Sequence, residues 1–145
     1  PVTEVSAIKW RTMAFRDIAE EHHLLEKTTT FRSSIDIESG AGLLERVLNH
    51  PIQPNAVFTS SDQLAVGLKE AAHQKGVCVP DNLAIMGFDN QPISRVFGIT
   101  TVHQPSLEMG QKAAELLFRQ IRVPAEKQKK KKIQLPYRLI ERETT

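Results

Sequence analysis

The chain has 145 residues, of which 40% are apolar and 25% charged, the size and composition of one globular domain with a buried core. No apolar run approaches the roughly 20 residues that span a bilayer, and Pro1 to Val5 lack the basic start and apolar stretch of an export signal. One cysteine, Cys78, excludes an internal disulfide and fits a reducing compartment, so a cytoplasmic chain without membrane contact is expected, processed or truncated because it opens on proline.

The net charge of +2 hides a local concentration: Lys127 and Lys129 to Lys132 supply five charges, and without them the total becomes −3. Such a run either holds a phosphate backbone or forms a solvated, self-repelling loop. The loop is preferred, because no aromatic residue interleaves the lysines.

From Ala7 to about His22 the residues Trp10, Ala14, Phe15, Ile18 and Ala19 fall on one helical face. Thr28 to Ile35 is rich in β-branched residues and predicts a strand. Asp36 or Ser39 then caps a helix carrying Leu43, Leu44, Val47 and Leu48, closed by Pro51 and Pro54. Ala56 to Thr59 is a short apolar run ending in Ser60, Ser61 and Asp62, good N-cap types for a helix from Gln63 to His73. After a turn at Pro80 to Asn82, Leu83 to Phe88 reads as a continuous apolar strand. Thr100 to Gln104 is extended, Pro105 and Ser106 open a helix to about Arg122, and Ile133 to Ile140 is a last strand. Alternating strands and helices predict an α/β fold, a mainly parallel sheet flanked by helices.

In such a sheet ligands bind beyond the carboxyl ends of the strands. Two strands end there in polar clusters, Ser60 to Asp62 and Asp89 with Asn90. A carboxylate accepts several hydroxyl hydrogen bonds at once, chemistry suited to a polyhydroxylated ligand. Asp62 reads first as a helix cap, whereas Asp89 follows its strand directly and is the better ligand candidate. No catalytic or metal motif stands out. His22 and His23 lack a third ligand, Cys78 between two valines suits an inert buried thiol, and Asp62 and His73 lie too far apart on one helix for a triad with Ser60 or Ser61.

The stretch from Ala56 to Gly67, with Asp62, Gln63, Leu64 and Ala65 at its centre, resembles a motif of the LacI/GalR transcription regulators. Val79 to Asn90, Thr100 to Pro105 with Met109, Gly110, Ala113 and Ala114, and the tail Leu135 to Thr144 ending in Arg142 resemble three more. Arg11 to Phe15 and Glu38 to Gly40 look like the start of the same region. The resemblance implies the periplasmic-binding-protein-like type I fold, in which two α/β subdomains close over a small-molecule effector. Residues 1–99 would belong to the C-terminal subdomain, 100–124 to a crossover packing on the other subdomain, and 125–145 to a lysine-rich loop and return strand.

By the same resemblance Arg11, Asp89, Ser61 and Gln104 are the expected effector-binding residues, for a sugar, sugar phosphate or nucleobase-like molecule. Ile35 stands where several members place an aromatic ring. Gln63, Val66, Glu70 and Phe97 fall where the family forms a homodimer. The sequence carries no helix-turn-helix head, so operator DNA would be reached only through a segment it does not contain. The apolar face of the helix after Pro105, with Leu107, Leu117 and Phe118, is expected to lack its partner surface. A periplasmic or surface sugar receptor for transport is the alternative reading, and an enzyme on the same layout is a third. No cofactor is expected.

Overall fold

In a computed structural model, described for residues 6–122 and 132–145, the element order is α1 (Ser6–Glu21), a 3-10 turn (Leu25–Lys27), α2 (Ile37–Leu48), β1 (Ala56–Phe58), α3 (Asp62–Gln74), β2 (Ala84–Asp89), α4 (Pro92–Val96), β3 (Thr100–His103), α5 (Ser106–Ile121) and β4 (Arg138–Ile140). The strands form one sheet in the order β1-β2-β3-β4. The first three run parallel and β4 pairs antiparallel with β3, opposite Thr101 to His103.

Strand register explains the two faces, since side chains alternate along each strand. Val57, Ile85, Gly87 and Thr101 share one face, where α3 packs with α2 beyond it. The core lies there: Leu43, Leu44 and Val47 from α2, Leu64, Ala65, Val66 and Leu68 from α3, with Leu83, Ile85 and Ile99 from the sheet side. The helices approach closely because neither side has a side chain at the contact. A Cβ on Gly40 would collide with the Leu64 backbone, and one on Gly67 with the Ile37 carbonyl. Of the two cap candidates Asp36 is the cap, accepting from the Ser39 amide at 2.7 Å, while Ser39 lies in the first helical turn and its hydroxyl donates to the other Asp36 oxygen.

Phe58, Phe88, Val102 and Leu139 share the other face, which is thinly covered. Phe15 of α1 stacks on Phe58 at 6.3 Å, and Phe58 meets Phe88 edge-on. Of the predicted α1 stripe only Ala19 is buried; Phe15 is half-covered by Phe58, and Trp10 and Ile18 face outward. Helix α5 buries none of its residues; Leu107 is 79% and Phe118 63% exposed.

Several expectations are corrected. Thr28 to Ile35 forms no strand: the segment carries no regular secondary structure, its backbone enters no ladder, and β1 closes that end of the sheet. What survives is side-chain packing, with Phe31 against the core, edge-on to His50 and beneath Arg46. The last strand is shorter than Ile133 to Ile140, beginning at Arg138 where pairing with β3 begins. Helix α4 was not expected; Pro92 pre-sets its first turn. Cys78 is exposed rather than buried, because Val77 and Val79 on either side take the places against the core. Lys127 to Lys131, most of the lysine run, lie outside the described residues.

Candidate functional site

The carboxyl ends of β1, β2 and β3 point the same way, and the polar residues following each converge there. Asp89 ends β2. Gln104, just past β3, donates from Nε2 to Asp89 Oδ1 at 2.6 Å. Arg11 reaches in from α1: its Nη1 donates to the Ser60 carbonyl, beyond β1, at 2.9 Å, and its Nη2 lies 3.7 Å from Asp89 Oδ1. The guanidinium sits 3.7 Å above the centre of the Phe88 ring, a cation–π contact that fixes its plane. The side chains of Arg11 and Asp89 keep 22% and 32% of their surface, so the pair is sheltered yet reachable. Asp89 Oδ1 takes both contacts, which leaves Oδ2 for an incoming donor.

Asp89 owes its direction to an unusual backbone. Its φ is 100° and that of Asn90 is 53°, two consecutive residues in a region that favours glycine. Each such residue costs on the order of 1–3 kcal/mol and persists only where surroundings over-determine it. The Asn90 amide donates to Thr101 Oγ1, its Nδ2 to His103 Nδ1 at 3.2 Å, and its Oδ1 accepts from Arg142 Nη2 at 2.8 Å.

Beneath this turn lies Asp62, fully buried. It is neither the cap nor a ligand group: Ser61 caps α3, and Asp62 accepts from Thr101 Oγ1 at 2.5 Å and from the Gln91 amide at 2.6 Å. Burial raises its carboxyl above the ordinary 3.8 and the nearby Asp89 adds to this, while the hydrogen bonds from Thr101 and Gln91 pull the other way. Gly87 makes the room, since a Cβ there would fall inside van der Waals contact of Asp62 Oδ1. Among the described residues no buried side-chain polar atom lacks a partner.

Of the expected effector residues, Arg11, Asp89 and Gln104 meet directly. Ser61 does not join them: it is 3% exposed and its hydroxyl accepts from the Leu64 amide, so the Ser60 carbonyl stands at the site in its place. Ile35 is half-exposed just before the Asp36 cap. Phe88 and Phe58 supply the aromatic surface that Ile35 does not; their alternation on neighbouring strands was the available signal. Of the expected dimer residues, Gln63 and Glu70 are partly exposed and Phe97 packs against the core. Val66 is 1% exposed, so it faces inward and presents nothing to a partner.

Beside the cluster, on the thin face of the sheet, a cleft of about 740 Å³ runs between Phe88, Val102 and Gln104 on one side and Met109, Leu116 and Tyr137 on the other. Among the described residues there is no group of three or more His, Cys, Asp or Glu that could hold a metal, and no helix long and apolar enough to cross a membrane.

The family model of the periplasmic binding protein-like domain matches residues 1–145, and the chain belongs to that family. Within it the resemblance to LacI/GalR regulators holds. The ribose operon repressor of Escherichia coli strain K12 is 34% identical over 109 residues, 74% of this chain and 32% of the repressor. The HTH-type transcriptional repressor PurR of Mannheimia succiniciproducens is 34% identical over 123 residues, 83% of this chain and 36% of that protein. A LacI family transcriptional regulator from Lactobacillus casei, solved with bound sucrose, matches with a TM-score of 0.72 at 31% identity, covering 93% of this chain and 50% of that one. The chain thus spans about a third of the length of these curated relatives and half of that structure.

Proposed function

We propose that the chain forms one wall of the effector site of a LacI-type transcription repressor, and that its effector is a sugar or sugar derivative. The observation carrying this reading is the convergence of Arg11, Asp89 and Gln104 over Phe88 at the carboxyl ends of three parallel strands. An acceptor oxygen, a cation already anchored and an aromatic face together suit vicinal hydroxyls and the C–H surface of a sugar ring. Asp62 and Ser61 support the wall from behind.

The mechanism is a shift of population. An effector held between this wall and a second subdomain favours the closed arrangement of the two, and closure alters the spacing of DNA-binding heads in a homodimer. Residues 1–99 belong to the C-terminal subdomain, 100–124 form the crossover that brings Gln104 to the wall, and 125–145 return to the sheet. Gln63 and Glu70 are the dimer candidates on α3, with Phe97 beside them. Operator binding belongs to a helix-turn-helix outside this chain, the protein works in the cytoplasm, and it catalyses no reaction. Relatives named as repressors favour this reading over a transport receptor.

A thermal-shift screen of the full-length protein against D-ribose, sucrose, sugar phosphates, nucleosides and nucleobases tests it, with Asp89→Asn as control. Losing a charged hydrogen bond of about 1.5–3 kcal/mol predicts a dissociation constant roughly 10- to 150-fold weaker in the variant. Stabilisation unaffected by Asp89→Asn would remove Asp89 from the site, and stabilisation by nucleobases alone would remove the sugar.

A further inference from the structure

Resting on the reading of Asp89 as the effector-facing carboxylate, we infer that Arg142, from the far end of the chain, is the residue that positions it. Arg142 makes no contact with Asp89. It acts through Asn90, whose side-chain oxygen accepts from Arg142 Nη2 at 2.8 Å. The guanidinium is itself fixed: Nη1 donates to the Ile99 carbonyl at 2.6 Å and to Ser94 Oγ at 3.3 Å, and the Arg142 backbone amide donates to Thr100 Oγ1. Ser94, fully buried, also donates to the Gln91 carbonyl, so three sides of the turn meet one planar, permanently charged group.

The turn needs such a clamp. Asp89 and Asn90 both hold positive φ, at 100° and 53°, and neither is glycine. Released, the pair relaxes toward ordinary backbone, and a rotation at residue 90 swings the preceding carboxylate off Gln104. Four groups hold the Asn90 side chain and amide: His103, Thr101, Arg142 and, more distantly at 3.5 Å, the Ser94 hydroxyl. Only Arg142 brings a charge to the side-chain oxygen, and it does so from 52 residues away in sequence. The segment just after the return strand therefore sets the geometry of the binding wall.

The Gln104 side-chain amide reports the outcome without any ligand, because it donates to Asp89. In ¹H–¹⁵N spectra of the chain, Arg142→Ala should move that signal to its position in Asp89→Ala. Asn90→Gly, which adopts positive φ without help, should leave it in place, alone and combined with Arg142→Ala. A folded Arg142→Ala protein with an unmoved Gln104 signal overturns the inference, as does a double variant displaced as far as Arg142→Ala alone. If Arg142→Ala does not fold, Asn90→Ala against Asn90→Gly decides: displacement in alanine only supports the clamp, and identical signals refute it. The effector screen plays no part in these spectra, so failure of the sugar reading and failure of the clamp are told apart.

Discussion

Gly87→Ala is the smallest change expected to reach both the core and the proposed effector wall. Gly87 faces α3 from the middle of β2, and a methyl there enters the space held by Asp62 Oδ1, with the Asp62 Cα and Ile99 Cγ2 each 3.2 Å away. The carboxylate cannot simply turn aside, because it is fully buried and bonded at 2.5 Å to Thr101 and 2.6 Å to the Gln91 amide. Overpacking of this kind costs about 1–3 kcal/mol, and loosening a hydrogen bond to a buried charge adds about 1.5–3 kcal/mol. The sum, about 2.5–6 kcal/mol, is a large part of the roughly 5–15 kcal/mol that holds a domain together. At about 3–4 °C per kcal/mol for a chain of this size, the midpoint should fall by about 8–24 °C. Calorimetry and urea titration measure it. A loss below about 1 kcal/mol would refute the reasoning, since it would mean that Asp62 has room to move.

Gly42→Ala is the matching control: it lies within α2 with nothing within 4 Å of the added Cβ. It should stabilise by about 0.5–1 kcal/mol through helix propensity, and a destabilised variant would contradict the open space assigned there. Asp62 gives a pH dependence of defined sign. Its folded carboxyl is raised above 3.8, so the native state binds the proton more readily than the unfolded chain. Its share of stability therefore falls as pH rises from the unfolded value through the folded one and stays low above it. The gap between Asp62→Asn and the parent protein in urea should shift in favour of the variant from about pH 4 to pH 7, and a constant gap would sink the assignment.

The part of the architecture set by local chemistry was readable. Caps at Asp36 and Ser61, the apolar run into Asp89 and the turn at Pro105 are short-range signals, and they placed α2, α3, β2 and α5 within a residue or two. Asp89 was legible as a strand-end residue, and Arg11 and Gln104 only through family resemblance. What escaped depends on partners distant in the chain. Thr28 to Ile35 has the composition of a strand, but no neighbouring strand takes up its backbone. Asp62 looks like a cap until Gly87 and Thr101 are seen to enclose it, and neither is near it in sequence. Nothing local marks Arg142 as belonging with Asn90.

The sheet also has a schedule. The Ile85 amide donates to the Thr144 carbonyl, and the Thr100 amide donates to the Thr144 hydroxyl, 44 residues later. Thr144 is itself fully buried. During synthesis, then, β2 and β3 emerge and align while two of their amides still lack their acceptors. The centre of the domain cannot be completed until the segment around Thr144 has left the ribosome and folded back. A nascent chain caught before that point would expose these amides beside an unfinished core, which makes this interval the one in which chaperone capture should be strongest.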